Sequence, residues 1–283
     1  MIGIFLSVLL NIAPAYDFLN VEPYYTIPVA TDTGVASINR NPAGLTRQRS
    51  FLFAQKDWIS DATISTFQFN WNNFGFAINY YRFGKFEYHG NTPDDLTKTY
   101  FNPYAYEVKI GRSFQIDPEV KFGLMLQYFE ETILYNSVHG FYMTVGLLYQ
   151  PHRIEGLRAG VSFENIGFKT GFSDLVYRAP ILGNFGMSYN FRKFNFSWNF
   201  SKVVTYEGAL SNLSTGDVRN FFEVKYDAFD FLKVGAGYET GSGVSPLILT
   251  IELRRSFVSI MAGIRPIDSG LGSVKTLNLK LSI

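Results

Sequence analysis

Apolar and polar residues alternate along most of this chain. The clearest example runs from Leu182 to Val203, where Phe, Met, Tyr and Trp at every second position alternate with Asn, Ser and Gly. Because successive side chains of a strand point to opposite faces, each strand here has one apolar face and one small, polar face. Arg192 and Lys193 separate the two runs. The pattern therefore predicts a tight antiparallel hairpin that is apolar on a single face.

The same alternation recurs from Phe51 to the C-terminal residue, in about fourteen runs, and no segment has the apolar spacing of a helix. The links between runs alternate in length. Short links, such as Asn72–Asn73 and Arg192–Lys193, follow every second run, and longer ones, such as 83–103 and 166–181, follow the others. If the strands run up and down, one rim carries the short turns and both chain ends, and the other rim carries the long loops. Transmembrane barrels have this asymmetry.

The composition separates two uses of an apolar strand face. In a soluble sandwich the polar faces meet water, but here they carry mostly Gly, Ser, Asn, Thr and Gln, and charged residues make up 17% of the chain against about 25% in soluble domains. Aromatic residues reach 17%, and several lie near run ends, where an interfacial girdle forms: Trp71, Tyr104, Tyr128, Tyr149, Tyr189, Tyr226 and Tyr238. We therefore predict an all-β fold, an antiparallel transmembrane β-barrel of about 14 strands. A soluble sandwich or a fibre-forming secreted protein is the alternative.

Residues 1–49 lack this alternation. An apolar run, Ile2–Ile12, leads into Ala13-Pro14-Ala15, which is typical of a secretory signal peptide, although no Lys or Arg precedes it. We expect residues 1–15 to be a signal peptide cleaved after Ala15, residues 16–49 a non-strand plug segment, and residues 50–283 the barrel. The expected location is the bacterial outer membrane, with its lipid as partner.

A short motif precedes the first run. Residues Asn41, Pro42, Ala43, Gly44 and Leu45, with Asp32, Gly34 and Ala36 upstream, resemble the signature of a fourteen-stranded outer-membrane superfamily. That superfamily includes FadL-type transporters of hydrophobic compounds and PorV/PorQ-type proteins of type IX secretion. The resemblance implies that the N-terminal segment plugs the barrel and that the motif lies inside the lumen near the short-turn rim. It does not separate the two branches.

Charged residues on the polar faces have mixed signs, which favours internal ion pairs over a filter for one sign of ion. We expect eleven of them to face the lumen: Glu107, Lys109, Lys121, Arg158, Glu164, Glu223, Lys225, Lys233, Glu239, Glu252 and Arg254. The three histidines, His89, His139 and His152, have no paired ligand spacing, and cysteine is absent. We predict no catalytic site, metal or cofactor. The net charge of +1 gives no reason to expect nucleic acid as a partner.

These features lead to a functional hypothesis of passive uptake of small hydrophobic molecules. Movement of the plug around residues 41–45 and of the loop 83–103 would gate the lumen. The alternative is a structural or shuttle component of a protein secretion system, with partner proteins docking on the long-loop rim. An apolar path inside the barrel would favour the first role, whereas a sealed lumen with apolar loop tips would favour the second.

Overall fold

The computed structural model describes residues 32–58, 61–88, 99–133, 136–170, 176–177, 181–204, 218–241, 247–266 and 273–283. The predicted signal peptide and the first part of the predicted plug lie outside the described residues. Fourteen long strands form the wall: β1 (Ser50–Asp57), β2 (Thr63–Trp71), β3 (Phe74–Arg82), β6 (Tyr104–Gln115), β7 (Val120–Ile133), β8 (Asn136–Tyr149), β9 (Leu157–Thr170), β11 (Ile181–Phe191), β12 (Phe194–Val204), β13 (Val218–Phe229), β14 (Leu232–Thr240), β15 (Leu247–Arg255), β16 (Val258–Pro266) and β17 (Ser273–Ser282).

The wall is a closed antiparallel barrel. Each long strand pairs with its neighbours in chain order, and β17 pairs with β1, from Ser282 opposite Ser50 to Lys275 opposite Asp57. Three short strands occur in the long loops: β4 (Phe86–Tyr88) pairs with β5 (Thr99–Phe101), and β10 (Val176–Tyr177) extends the edge of β9. Closure leaves no unpaired strand edge, which a bilayer requires. The predicted fourteen-stranded barrel is confirmed.

The barrel has its apolar side outward. On β3, the side chains of Ile78 and Tyr80 are 39% and 43% exposed, whereas the intervening Asn79 is 1% exposed. The same alternation follows the other long strands, so Phe, Leu, Ile and Tyr cover the outside and Asn, Ser, Thr and Gly face the lumen. A soluble sandwich would bury the opposite set. An apolar outer band around a closed antiparallel barrel is the architecture of bacterial outer-membrane proteins.

The two rims differ as predicted. At the short-turn rim, Asn72 and Asn73 both have positive φ, 51° and 65°, which allows a two-residue turn between β2 and β3. The C-terminal residue also lies at this rim, where the amide of Ile283 donates to the carbonyl of Arg49 at 2.9 Å. The long-loop rim carries the β4–β5 hairpin and the connections that fall largely outside the described residues. Among the described residues no helix is long and apolar enough to cross a bilayer.

One side of the wall is taller than the other. Strands β7, β8 and β9 each contain 14 residues, whereas β14, β15 and β16 each contain 9. A β-bulge interrupts the pairing of β8 with β9 between Met143 and Val145. Asn165, with φ of 60°, occupies the extra position, and both Glu164 and Asn165 are buried. The bulge therefore turns two consecutive polar side chains toward the lumen.

The chain that precedes β1 lies inside the barrel. Residues 32–49, called the plug segment below, contain two 3-10 turns, Gly34–Asn39 and Pro42–Gly44. Almost every residue of these turns is buried. They contact the lumenal faces of β1, β2, β3, β6, β7 and β8. The plug segment is thus held against one side of the wall, in the half of the lumen nearer the short-turn rim.

Candidate functional site: the plug segment and its glycine socket

The five-residue motif forms a compact turn. Asn41 precedes the turn Pro42–Gly44, and its side-chain oxygen accepts a hydrogen bond from the amide of Ala43 at 3.1 Å. Pro42 stands at the first position of the turn, where its missing amide costs no hydrogen bond. A Cβ added to Gly44 would lie 2.5 Å from the carbonyl oxygen of Asp32 and 2.6 Å from Cβ of Ser37. The residue types at positions 41, 42 and 44 of the motif are therefore each explained by a local contact or by the geometry of the turn.

Three wall glycines make room for this turn. A Cβ on Gly123 of β7 would lie 2.0 Å from the amide nitrogen of Ala43, and one on Gly146 of β8 would lie 2.0 Å from the side-chain oxygen of Asn41. A Cβ on Gly75 of β3 would lie 2.7 Å from a methyl group of Leu45. Atoms in ordinary contact are about 3.5–4.0 Å apart. Gly75, Gly123 and Gly146 thus form a glycine socket that admits the plug backbone directly against the wall.

Hydrogen bonds fix the motif in the glycine socket. The side-chain amide of Asn41 donates to the carbonyl of Leu147 at 2.9 Å, and the hydroxyl of Ser113 donates to the carbonyl of Leu45 at 2.9 Å. The next residues are tied to the short-turn rim, since the amide of Asn73 donates to the carbonyl of Thr46 at 2.8 Å. Asn70 also donates to the carbonyl of Gln48 at 2.5 Å. The motif and the chain that follows it are therefore anchored.

Apolar contacts support the same arrangement. Ile38 and Leu45 of the plug segment pack with Ala77 and Met125 of the wall, and all four are buried. On the neighbouring part of the wall, Val35 packs with Leu52 and Ala54 of β1. Burying a side chain of this size contributes about 1.5–3 kcal/mol. These apolar contacts stabilise the docked position of the plug segment.

A polar layer lies on the lumenal side of the motif. Arg40 of the plug segment forms an ion pair with Glu164 of β9, with 3.3 Å between Nη1 and Oε1. Glu164 also accepts a hydrogen bond from Asn184 of β11 at 2.5 Å. Glu164 faces the lumen beside the bulge at Asn165. This pair is one charged contact between the plug segment and the wall.

The other charges predicted to face the lumen mostly pair with one another. Glu107 lies 3.1 Å from Lys109, and Glu223 lies 2.8 Å from Lys225. Asp227, which we did not single out, lies 2.6 Å from Arg254 and 3.5 Å from Lys233. Further contacts of the predicted set are Glu239 with Arg265 at 2.6 Å and Glu252 with the hydroxyl of Ser259 at 2.6 Å. Lys121 and Arg158 are half-buried. That such mixed-sign pairs stiffen the wall, and do not select one sign of ion, stays a prediction.

Large apolar side chains also face the lumen, close to the long-loop rim. One buried cluster is built on β2, β3, β6, β7 and β8: Ile64, Tyr81, Phe83, Ala105, Phe129 and Tyr142. A second lies on β13, β15 and β17, where Phe221, Ile248 and Val274 pack with Trp58. The sequence did not predict either cluster, because the side chains that face the lumen were expected to be small and polar throughout. Buried apolar side chains therefore lie between the polar layer around Glu164 and the long-loop rim.

The described residues contain no group of three or more side chains suited to hold a metal ion. His139 Nδ1 lies 2.8 Å from the hydroxyl of Tyr128 and 3.3 Å from Oε2 of Glu130. The neighbouring Ser137 shares a hydrogen bond with Thr132 at 3.0 Å. The predicted girdle residue Tyr128 thus orders a polar group on the outer face near the long-loop rim. His89 and most of the loop around it lie outside the described residues.

No family model matches the sequence, and no curated protein matches it. Solved structures do match. The toluene transporter TodX of Pseudomonas putida has 10% identity and a TM-score of 0.58, over 90% of this chain and 94% of that chain. A Pseudomonas aeruginosa FadL homologue has 9% identity and a TM-score of 0.50, over 89% of this chain and 92% of that chain. At such identities the likeness concerns the fold alone, and at that level the resemblance to FadL-type barrels is confirmed. The PorV/PorQ part of it stays a prediction.

Proposed function

We propose that this outer-membrane barrel is a passive, plug-gated channel for small hydrophobic molecules. The observation that carries the proposal is the plug segment, which sits in the glycine socket inside a closed barrel. The wall supplies a path and no chemistry. The solved structures that share the fold include a toluene transporter and a FadL homologue, which supports a role in the passage of molecules.

The cargo class follows from the lumen near the long-loop rim. Two inward-facing apolar clusters lie near the long-loop rim, one around Phe129 and Tyr142 and one around Phe221 and Trp58. Their side chains are buried against one another, and opening of the lumen would expose them to a cargo. Sugars and ions gain nothing from such a surface, whereas apolar molecules gain about 25 cal/mol for each Å² removed from water. TodX, which shares the fold, is described as a toluene transporter and a monoaromatic hydrocarbon channel. Small hydrophobic molecules are therefore the cargo that we propose.

The gate has a fixed part and a part that can move. Residues 41–48 are tied to the wall and to the short-turn rim by hydrogen bonds that backbone carbonyl groups accept, three from side chains and one from the amide of Asn73. The turn Gly34–Asn39 is held mainly by apolar packing and by the ion pair between Arg40 and Glu164. Opening would break that ion pair and swing residues 34–40 about the anchored motif. Motion of the loop 83–103 would uncover Phe83, whose amide donates to the carbonyl of Pro103 at 3.1 Å.

The test uses bacteria whose outer membrane carries the full chain. Entry of an apolar dye that fluoresces only in lipid is compared with entry of a small polar antibiotic that a periplasmic enzyme hydrolyses. We expect the wild-type chain to speed dye entry and to leave antibiotic entry unchanged. Equal dye entry with and without the protein would refute the channel.

A variant with residues 16–49 deleted tests the gate separately. Its larger opening should admit both probes, and it should make liposomes leak polar solutes. If the deletion changes neither probe while the wild-type chain speeds dye entry, the channel stands and the plug is not its gate.

The alternative role in protein secretion is favoured by Phe86 and Tyr100, which are 48% and 45% exposed on the β4–β5 hairpin. Partner proteins would dock there.

A further inference from the structure

One polar side chain of the wall is buried next to the plug segment without a hydrogen bond. Gln68 of β2 is 0% exposed, and neither the nitrogen nor the oxygen of its side-chain amide has a partner among the described residues. The lumen-facing residues on either side of it along β2 are both paired. The hydroxyl of Thr66 donates to Oδ1 of Asn79 at 2.7 Å, and the side-chain amide of Asn70 donates to the carbonyl of Gln48 at 2.5 Å. Because an unpaired buried amide has lost its water without gaining a partner, it destabilises the state that buries it.

Apolar side chains of the plug segment cover the wall on both sides of Gln68. In the strand register, Gln68 lies between Leu52 of β1 and Ala77 of β3. Val35 of the plug segment packs with Leu52, and Ile38 packs with Ala77. An aliphatic side chain neither donates nor accepts a hydrogen bond. The docked plug segment therefore removes water from Gln68 and places no hydrogen-bonding side chain there in return.

A second unpaired amide lies on the other side of β1. Asn278 of β17 is opposite Ala54 in the register, and Ala54 packs with Val35 as Leu52 does. Asn278 is 3% exposed, and neither atom of its side-chain amide has a hydrogen-bond partner in the part of the chain that the structure describes. Leu52 and Ala54, called the β1 patch below, are thus covered by Val35 and bordered by an unpaired amide on each side.

Undocking of the turn Gly34–Asn39 would turn this region into a binding site. The β1 patch and its two amides would then face the lumen, and an apolar molecule could take the place of Val35. A molecule that also carries a hydroxyl or carbonyl group would pair with Gln68, which the docked plug segment does not do. An ionised group would lose its hydration against an uncharged amide. A ligand shifts an equilibrium by the difference in its affinity for the two states, so the neutral polar group would favour the undocked state.

We propose that the β1 patch is a cargo site that the plug segment and the cargo occupy in turn, and that Gln68 determines its specificity. The cargo it selects is a small apolar molecule with one neutral hydrogen-bonding group, such as a phenol. The apolar part lies on Leu52 and Ala54, and the hydroxyl pairs with the side-chain amide of Gln68. This proposal rests on the proposed function, because the site exists only when the plug segment leaves the wall.

The test measures undocking of the plug segment in the full chain in detergent. The chain has no cysteine, so Val35→Cys can be labelled with a polar maleimide, and the labelling rate reports how often residue 35 leaves the β1 patch. The protein is titrated with p-cresol and with p-xylene, which differ by a hydroxyl group in place of a methyl group. We expect both ligands to raise the labelling rate, each with a half-maximal concentration. Migration of the unheated barrel on a gel confirms that each variant is folded.

Gln68→Met, added to Val35→Cys, keeps the length of the side chain and removes its hydrogen-bonding groups. Without ligand, it should slow labelling about fivefold or more, because the docked state no longer buries an unpaired amide. It should also raise the half-maximal concentration of p-cresol at least about fivefold more than that of p-xylene, a difference that isolates the hydrogen bond. The matched control is Gln55→Met, on the exposed outer face of β1, which should change neither quantity.

Two results would overturn the proposal. One is an equal change for p-cresol and p-xylene in Gln68→Met, and the other is a labelling rate without ligand that this variant does not lower. Dye entry into cells tests the channel separately. If the wild-type chain speeds dye entry while either of these results is found, the channel stands and the β1 patch is not its cargo site.

Discussion

Gly123 offers a direct test of the glycine socket. In Gly123→Ala, the new Cβ would lie 2.0 Å from the amide nitrogen and 2.7 Å from Cα of Ala43. Carbon and nitrogen atoms in contact are normally about 3.5 Å or more apart, so the plug backbone must move by more than about 1 Å. Overpacking of this kind costs about 1–3 kcal/mol. Because the clash exists only when the plug segment is docked, this free energy favours the undocked state about 5–150-fold.

The chain contains no cysteine, which gives a clean assay. Val35 of the plug segment is fully buried against β1, so Val35→Cys should react slowly with a polar maleimide. When opening and closing are fast, the labelling rate follows the population of the open state. We therefore expect Gly123→Ala to raise the labelling rate of Val35→Cys by about 5–150-fold, as converted from the clash energy.

Gly183→Ala is the matched control, because its Cβ would lie 3.6 Å from the nearest atom, in Phe163. This distance is an ordinary contact, so the control should label at the rate of the Val35→Cys parent. If Gly123→Ala also labels at the parental rate, the plug segment does not rest on Gly123, and the glycine socket is wrong.

Other changes test the remaining contacts. Glu164→Gln removes the carboxylate that pairs with the partly buried Arg40, so it should raise both the labelling rate of Val35→Cys and dye entry by at least about tenfold. The control is Glu223→Gln, which changes an ion pair within the wall and should raise neither. Equal effects of the two variants would show that the Arg40–Glu164 ion pair is not part of the gate. Asn41→Ala loses the bonds to Ala43 and Leu147 and should weaken docking by about 0.5–2 kcal/mol, seen as faster labelling; an unchanged rate would contradict this anchor. Leu279 is 36% exposed on the outer face. In urea titrations of the barrel in vesicles, Leu279→Lys should lower the free energy of unfolding by about 2–4 kcal/mol, because the charge would lie in lipid. A decrease below about 0.5 kcal/mol, which is typical of exposed sites in soluble proteins, would place that face in water.

The alternation of side chains was sufficient to predict the fold. In Phe74–Arg82, for example, the order of apolar and polar residues fixes which face is which, and only their environment remained to be decided. The low charge of the polar faces decided it. The turn lengths then gave the two rims. These are local properties of the chain, so the sequence contains them.

The contacts of the plug segment could not be predicted in the same way. Gly75, Gly123 and Gly146 look like any other small residues of a polar face until the structure brings Asn41 and Ala43 against them. The bulge at Asn165 does not interrupt the alternation of apolar and polar residues enough to be predicted from the sequence. Phe129 and Tyr142, which face inward on β7 and β8, each follow an outward-facing aromatic residue, so the alternation does not show that they face the lumen. All three depend on contacts between residues far apart in the chain.

The central claim is that lipid surrounds the apolar face, and the three tryptophans test it. Trp71 and Trp198 lie on the outer face of β2 and β12, whereas Trp58 packs inside the lumen with Phe221 and Ile248. Single-tryptophan variants, with the other two replaced by phenylalanine, can be placed in vesicles of brominated lipid, whose acyl chains quench nearby fluorescence. We expect strong quenching of Trp71 and Trp198 and weak quenching of Trp58. Stronger quenching of Trp58 than of Trp198 would contradict the account.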